Sequence, residues 1–267
     1  MDPLSLVLLA VAAGVAGAIN AAVGSGSLLT LPVLLAMGVP PGAAVRTNTI
    51  GMVFSTIGAV AGYRREIRED LPHLKPLMVT TTIAALAGAG LLLVTSSDVL
   101  DWVVPVLIVV ALVLVVCQPL IARRVRARSA SGGGGEADRD ELAARRLRSP
   151  GLIAAMSGAS LYGGFFTAAQ GVLYLAILGS FTGRQMRSVN GIKNLLSLIV
   201  NVCAALVYLV AFVVFDAPVV WLGVLVVGVG SLIGSYFGAH LAKRFPEWLM
   251  RGVIIVVALV ALARQVM

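Results

Sequence analysis

The stretch Val23-Gly-Ser-Gly-Ser-Leu-Leu-Thr-Leu-Pro32 lies inside a charge-free run that extends from residue 3 to residue 45. Its glycines free the backbone to leave the helical conformation, and its proline removes a backbone donor. A second stretch, Tyr162-Gly-Gly-Phe-Phe-Thr-Ala-Ala-Gln-Gly171, lies in the charge-free run 149–183. Unpaired backbone groups at membrane depth are tolerated only inside protein or beside water. The two stretches therefore predict a binding site at two helix breaks; the alternative is that small residues only permit close helix packing.

The surroundings of the two stretches repeat at a constant distance along the chain. Five markers recur after a shift of 141 residues: Gly17, Gly38, Gly42, Arg46 and Thr47 correspond to Gly158, Gly179, Gly183, Arg187 and Ser188. Duplicated halves with interrupted apolar segments are typical of secondary transporters, where the interruptions mark the binding site. The sequence thus predicts a first repeat over 1–122 and a second repeat over 151–267.

Composition places the chain in a membrane. Of its 267 residues, 59% are hydrophobic and 12% are charged, whereas soluble domains carry about 25% charged residues. Its charge-free runs are long enough for helical spans, which need about 20 residues; these runs cover 3–45, 76–97, 102–122, 149–183, 194–215 and 217–242. The apolar residues are continuous rather than alternating, which argues against a membrane barrel. The predicted fold is an all-α integral membrane protein with about eight membrane segments.

Basic residues are concentrated between the two predicted repeats. Eight of the 20 lysines and arginines lie between Arg123 and Arg148, and the positive-inside rule places this linker, 123–150, in the cytoplasm. The run of four glycines within it, 132–135, is typical of a flexible connector. The net charge of +8 is therefore explained by membrane topology and anionic lipid rather than by nucleic acid.

Counting crossings outward from the linker predicts the rest of the topology. Residues 64–75 form a cytoplasmic loop, a last span covers 248–263, and both chain termini lie on the outer side of the plasma membrane. The runs 3–45 and 149–183 each begin and end on one side, either as a re-entrant hairpin or as two short spans. Each half is then a broken or re-entrant helical hairpin plus three transmembrane helices, and the two halves are inverted repeats.

Polar residues follow each break at the start of the next predicted helix. A helix N-terminus attracts anions, and an arginine beside it strengthens that preference. We expect a small anionic substrate to be bound by Arg46, Thr47, Asn48, Arg187, Asn190 and Asn194, together with Ser25, Ser27 and Gln170 from the breaks. The alternative for the two arginines is that they extend to opposite membrane interfaces. No cofactor and no metal are predicted.

Several chemical classes are disfavoured by what the sequence lacks. No Asp or Glu lies within the predicted spans, so a proton relay of buried carboxylates is disfavoured, and the coupling ion stays open between Na⁺ and H⁺. Cys117 and Cys203 lie in apolar segments and are interpreted as small hydrophobic residues rather than a disulfide or metal site. Gly24-Ser25-Gly26 lacks the spacing of a nucleophile elbow and has no accompanying base, so an intramembrane hydrolase is the least favoured function.

The residues around both breaks resemble a known family. The segments that carry the similarity are Gly24-Ser-Gly-Ser-Leu-Leu-Thr-Leu-Pro-Val-Leu-Leu-Ala-Met-Gly38 with Ala44-Val-Arg-Thr-Asn48, and Tyr162-Gly-Gly-Phe-Phe-Thr-Ala-Ala-Gln-Gly-Val-Leu-Tyr-Leu-Ala176 with Asn190-Gly-Ile-Lys-Asn194. In their order and spacing these segments resemble the TauE/SafE family of membrane permeases, the sulfite exporter and sulfonate permease group. Ser25 and Ser27 interrupt the glycine triplet expected in the first break, and Phe165-Phe166-Thr167 replaces glycines in the second.

The resemblance implies transport of small organic or inorganic anions, commonly sulfur-containing, across the plasma membrane. It implies a permease that works by alternating access, with movement of one half against the other. An anion channel is the nearest alternative. A membrane scaffold that transports nothing is the alternative from another class, and it predicts that the polar residues at the breaks are dispensable.

The predicted topology can be tested by labelling from outside the cell. Tags at Met1 and Met267 are expected to react with a membrane-impermeant reagent on intact cells, because both ends are assigned to the outer side. A cysteine introduced by Ser131→Cys in the linker is expected to react only after lysis. Tags that also react only after lysis would contradict the inverted arrangement.

Overall fold

The structure, a computed structural model, describes residues 3–22, 24–130, 145–184, 186–241 and 252. Within these ranges the chain forms nine helices and no strand, which confirms the predicted all-α fold for the described residues. The helices are α1 (Pro3–Ala22), α2 (Ser27–Ala36), α3 (Pro41–Gly62), α4 (Arg64–Val94), α5 (Ser97–Ala130), α6 (Pro150–Phe166), α7 (Gln170–Thr182), α8 (Met186–Phe215) and α9 (Trp221–Leu241).

Several helices have the length and surface of membrane spans. Four of the described helices are long and apolar enough to cross a bilayer: Pro3–Ala21, Arg64–Val94, Ser97–Cys117 and Met186–Phe215. Large apolar side chains are exposed along them, including Val94 and Trp102, each 80% exposed, and such a surface is stable against lipid. The chain is therefore a multi-pass membrane protein. The span predicted over 248–263 lies outside the described residues, apart from residue 252.

Both predicted breaks interrupt a helix. In the run 3–45, α1 ends at Ala22 and α2 begins at Ser27; in the run 149–183, α6 ends at Phe166 and α7 begins at Gln170. The helix α2 has 10 residues, about 15 Å, and α7 has 13, about 20 Å, at 1.5 Å per residue. Both are shorter than a hydrocarbon core of about 30 Å. Each long run is thus a long helix followed by a short one.

Local sequence sets the helix boundaries on either side of the breaks. Pro41 and Pro150 occupy the first turns of α3 and α6, where a missing N–H costs nothing. The Ser149 hydroxyl caps α6 by accepting a bond from the Leu152 N–H at 3.4 Å. Gly183 ends α7 with a φ of +65°, the left-handed conformation that glycine adopts without steric cost.

Three long helices run between the same two ends of the molecule. A cavity is lined by Pro41 at the start of α3, Val94 at the end of α4 and Phe215 at the end of α8. At the opposite end, Glu66 near the start of α4 binds Arg187 near the start of α8. Hence α3 begins at the cavity end, whereas α4 and α8 begin at the other end and finish at the cavity.

The most extensive helix packing joins the first half of the sequence to the second. Helix α1 packs on α9, α3 packs on α9, and α4 packs on both α6 and α8. Small residues permit the approach: a Cβ added at Gly17 would lie 2.8 Å from the Ser231 Cα, and one added at Gly164 would lie 2.9 Å from the Ala85 Cα. Small residues at such contacts are typical of helix packing in membranes. The two halves are interlocked.

Residues 64–75, predicted as a cytoplasmic loop, instead form the first turns of α4. The charged residues there suggested a solvated connection, but the side chains of Ile67, Asp70 and Leu74 are buried. Asp70 is buried because Arg184 supplies its counter-charge, so the ion pair allows the helix to start earlier than hydropathy indicates.

Two glycines of α6 provide a test of the interlocked packing. Gly164→Ala is expected to destabilise the protein by about 1–3 kcal/mol, because the new methyl group overlaps the Ala85 backbone. Gly158→Ala is the matched control, since nothing lies within 4 Å of its added Cβ and alanine is the better helix former. The midpoint of thermal unfolding in detergent should fall only for Gly164→Ala; equal midpoints would contradict this packing.

Candidate functional site

The two helix breaks meet inside the protein, backbone to backbone. The Gly171 N–H donates to the Gly24 carbonyl oxygen at 3.1 Å. Gly24 has a φ of +83°, and a Cβ built on it would lie 2.6 Å from the Gly171 Cα. A Cβ built on Gly171 would lie 2.6 Å from the Gly24 oxygen. No other residue type fits at either position without displacing the backbone of the opposite break. We call this meeting point the junction.

Hydroxyl groups from the first half hold the second break in place. Thr167 and Ala169 adopt φ values of +66° and +57°, which are unfavourable for residues with a Cβ. The Thr167 hydroxyl lies 2.9 Å from the Thr49 hydroxyl, and the Ser27 hydroxyl donates to the Thr167 carbonyl oxygen at 3.4 Å. Strained backbone of this kind persists where surrounding contacts fix it, and it clusters at binding sites.

Both short helices begin at the junction. The α2 N-terminus follows Gly24 within three residues, and α7 starts one residue before Gly171. Their first N–H groups donate to nearby carbonyl oxygens, as Leu28 does to Ser25 and Gly171 does to Gly24, and the helix dipole gives each helix start a partial positive charge. Two helix N-termini directed at one buried point make it attractive to an anion.

Most of the residues predicted from the sequence are buried around the junction. Ser25, Asn48, Gln170 and Asn194 are at most 2% exposed. The Thr30 hydroxyl donates to the Asn48 Oδ1 at 2.5 Å. Among the predicted site residues, five buried side-chain atoms have no hydrogen-bond partner within the described part of the chain: the donors Ser25 Oγ, Asn48 Nδ2, Gln170 Nε2 and Asn194 Nδ2, and the acceptor Asn190 Oδ1. Buried polar groups are normally satisfied, so the four donors are suited to a ligand that accepts hydrogen bonds.

Arg46 and Thr47 lie on the cavity side of the junction. The Arg46 Nε donates to the Pro218 carbonyl oxygen at 3.1 Å, and the Thr47 hydroxyl accepts from the Val220 N–H at 3.0 Å. These bonds fix the connection between α8 and α9. Arg46 also lines the cavity, whose volume is about 610 Å³ and whose lining includes Asp101.

The structure does not bring Arg187 to the junction. Its Nε lies 3.1 Å from Glu66 Oε1, and its side chain is 74% exposed. About 24 Å of α3 separates Arg46 from the helix end that precedes Glu66, at 1.5 Å per residue. Asn190, one turn further along α8, is buried. The two arginines thus lie towards opposite ends of the protein, the arrangement that the snorkelling alternative describes.

Lys193 is the residue that sequence reasoning missed. Its side chain is fully buried, and its Nζ donates to the Asn20 carbonyl oxygen at 3.4 Å. Its Cδ lies 3.3 Å from the position of a Cβ on Gly24, so the side chain reaches the junction. The available signal was spacing, because Asn190, Lys193 and Asn194 share one helix face with Ser197 and Asn201.

A buried ion pair lies at the same end of the protein as Arg187. The Arg184 guanidinium pairs with the Asp70 carboxylate, and the Ser188 hydroxyl donates to the other Asp70 oxygen at 2.7 Å. Arg184 lies in the connection between α7 and α8, and burial lowers the pKa of its guanidinium from the ordinary value. The ion pair and the Ser188 hydrogen bond therefore connect α4 to the start of α8 at this end of the protein.

The chain is similar in sequence to a family of membrane transporters. The model of the sulfite exporter TauE/SafE family matches residues 9–264. The chain is 26% identical over 264 residues to "Probable membrane transporter protein YfcA" of Escherichia coli (strain K12), covering 99% of this chain and 90% of the relative. It is 23% identical over 254 residues to "Probable membrane transporter protein ORF9" of Sinorhizobium sp, covering 95% and 89%. No solved structure matches the chain significantly.

The buried ion pair generates a stability prediction. Asp70→Asn is expected to cost about 3–5 kcal/mol, because it removes the carboxylate that pairs with the largely buried Arg184 guanidinium. Glu69→Gln is the adjacent control: Glu69 is 68% exposed and its pair with Arg65 spans 3.6 Å, so its loss should change stability by less than about 1 kcal/mol. Thermal unfolding in detergent compares the two, and equal midpoints would show that Asp70 does not balance a buried charge.

Proposed function

The chain belongs to the sulfite exporter TauE/SafE family of membrane transporters, and on that premise we propose that it is a secondary transporter of a small anion. The substrate class is a sulfur-containing oxyanion or an organosulfonate, and it crosses the plasma membrane by alternating access. One observation carries the proposal: two helix breaks meet at a buried junction lined by hydrogen-bond donors without partners.

The chemistry of the junction favours an anion over a cation or a neutral solute. Ser25, Asn48, Gln170 and Asn194 offer a hydroxyl and three amide N–H groups, and the α2 and α7 N-termini add partial positive charge. Oxyanions accept several hydrogen bonds at once and form stronger, charge-assisted bonds than neutral acceptors. The described residues place no carboxylate among these donors.

The same geometry favours transport over hydrolysis. The Ser25 hydroxyl has no hydrogen-bond partner among the described residues, so no neighbouring base in that part of the chain activates it as a nucleophile. A scaffold role leaves the partnerless donors around the junction without a purpose. We therefore propose a protein that binds and moves its ligand unchanged.

We further propose that residues 1–122 and 151–267 are inverted repeats joined by the linker 123–150. Support comes from the order of elements, since α1, α2 and α3 correspond to α6, α7 and α8 with a break in the same place. Helix α3 begins at the cavity end and α8 begins at the opposite end. Corresponding helices of opposite direction are what an inverted duplication produces.

Alternating access is supported by the difference between the two ends. The cavity of about 610 Å³ opens at the Arg46 end. The other end carries the Arg184–Asp70 and Arg187–Glu66 ion pairs. Access from the second side requires these pairs to separate and the cavity to close. If the predicted topology holds, the cavity faces outward and the ion pairs face the cytoplasm.

Reconstituted protein gives the decisive test of transport. Liposomes that contain the protein are expected to take up labelled sulfite, thiosulfate, methanesulfonate or acetate, and preloading with the same unlabelled anion should accelerate that uptake. Asn48→Leu and Gln170→Leu should each lower uptake about ten- to a hundredfold at low anion concentration, because a hydrogen bond to a charged group is worth about 1.5–3 kcal/mol.

The matched control is Thr80→Val on α4. Its hydroxyl donates to the Pro76 carbonyl oxygen of its own helix at 3.0 Å, so the variant should transport like the unaltered protein. Uptake without acceleration by preloaded anion would indicate a channel. No uptake of any anion by folded protein would refute the proposed function.

A further inference from the structure

Lys193 brings a buried side-chain amine to the junction. Its side chain is 0% exposed, and its stem lies against the Gly24 backbone. An ammonium group has three donors, and the structure uses one of them in the 3.4 Å bond to the Asn20 carbonyl oxygen. A buried ammonium group ordinarily requires a negative partner, because the cost of removing it from water is large.

Lys193 differs from the paired arginines because the described part of the chain places no carboxylate beside it. Arg184 pairs with Asp70, and the exposed Arg187 pairs with Glu66. Arg46 is buried, and its Nε donates to the Pro218 carbonyl oxygen. No carboxylate of the described residues lies within 4.0 Å of the Lys193 amine. A protonated Lys193 therefore has no counter-charge in that part of the chain, and an anionic ligand would supply one.

The groups around Lys193 are suited to complete the coordination of an anion. Asn194 follows it on α8, with a buried amide nitrogen that has no partner among the described residues. Gly24, which the lysine stem touches, directly precedes Ser25, whose hydroxyl is likewise buried without a partner. Gly171, bonded to Gly24, follows Gln170, which contributes a third such donor. Charge and donors thus come together from α1–α2, α7 and α8.

We propose that Lys193 pairs directly with the charged group of the substrate and restricts the junction to anions that carry a single negative charge. The inference rests on the proposed function and narrows its substrate class to monoanions such as a sulfonate. One ammonium group neutralises one charge. A dianion would bring a second charge into a buried site where the helix N-termini supply only partial charges, and an uncompensated buried charge is strongly disfavoured.

Methanesulfonate and sulfate test the preference for a monoanion over a dianion, because they share a tetrahedral sulfur and differ by one charge. Protein in liposomes is expected to take up methanesulfonate at least about tenfold faster than sulfate, since the charge-assisted bond is available to one charge only. Lys193→Met keeps the length of the side chain and removes the charge, so it should lower methanesulfonate uptake by at least about tenfold. Lys193→Arg keeps the charge and should retain the preference for methanesulfonate.

Thermal unfolding distinguishes binding from a structural role. Methanesulfonate should raise the unfolding midpoint of the unaltered protein and leave that of Lys193→Met unchanged. In anion-free buffer Lys193→Met should unfold at the same temperature or higher, because the substitution removes an unbalanced buried charge. Arg65→Gln is the control for loss of a positive charge at an exposed position, and it should behave as the unaltered protein in both assays.

The outcomes separate this inference from the proposed function. Equal uptake of sulfate and methanesulfonate, or uptake unchanged by Lys193→Met, overturns the role of Lys193 and leaves the transporter intact. A lower unfolding midpoint for Lys193→Met in anion-free buffer also overturns it, since the lysine would then serve the fold. Failure of the unaltered protein to take up any of the tested anions overturns the proposed function and this inference with it.

Discussion

The hydrogen bond from Gly171 to Gly24 is the constraint on which the rest of the structure depends. Gly24 lies in backbone that has left the helix, and Gly171 lies in the first turn of α7. At membrane depth such backbone is stable only when protein satisfies its polar groups. The second break supplies the N–H donor of this bond, and the first break supplies its carbonyl acceptor. The contact allows no side chain on either residue, so the two breaks approach more closely than two helices of ordinary residues could.

From that contact the position of the donors follows. A break directly before a short helix directs the helix N-terminus at the contact, and the chain has two such helices, α2 and α7. Hydroxyls from α2 and α3 then hold the strained Thr167, which keeps the second break in register with the first. The junction is therefore rigid before any ligand arrives, and preorganised donors lose little entropy on binding.

Much of this could be predicted from the sequence because it depends on local chemistry. The two glycine-rich stretches predicted that breaks occur, but not their exact place, since Pro32 lies inside α2 and Gly163 and Gly164 lie inside α6. The burial of Asn48 and Asn194 agrees with the rule that polar residues in membrane helices need partners. Arg187 differs, because motif spacing does not reveal the direction of a helix: its equivalence to Arg46 is real in sequence, but α3 and α8 begin at opposite ends. Whether these residues bind an anion remains a prediction.

Two features could not be read from local sequence, since each depends on a distant partner. Asp70 lies in a charged segment that resembles a solvated loop, and only Arg184, far along the chain, makes its burial favourable. Lysine is typical of membrane interfaces, and only the contacts with Gly24 and Asn20 show that Lys193 lies inside the protein. In both cases hydropathy measures the cost of burying a charge, and the fold decides whether a partner compensates for that cost.

The interlocked packing restricts how such a protein can move. If one sequence half moved rigidly against the other, α1 would leave α9 and α4 would leave α6, although these are among the most extensive contacts in the molecule. Packed interfaces with backbone at van der Waals distance resist gradual separation. Under the proposed alternating access, these contacts are kept when each moving unit combines helices of both halves, with α1, α3 and α9 in one unit and α4, α6 and α8 in the other. The contact of Gly24 with Gly171 joins the break after α1 to the start of α7, so it connects the two halves at the point where each is interrupted.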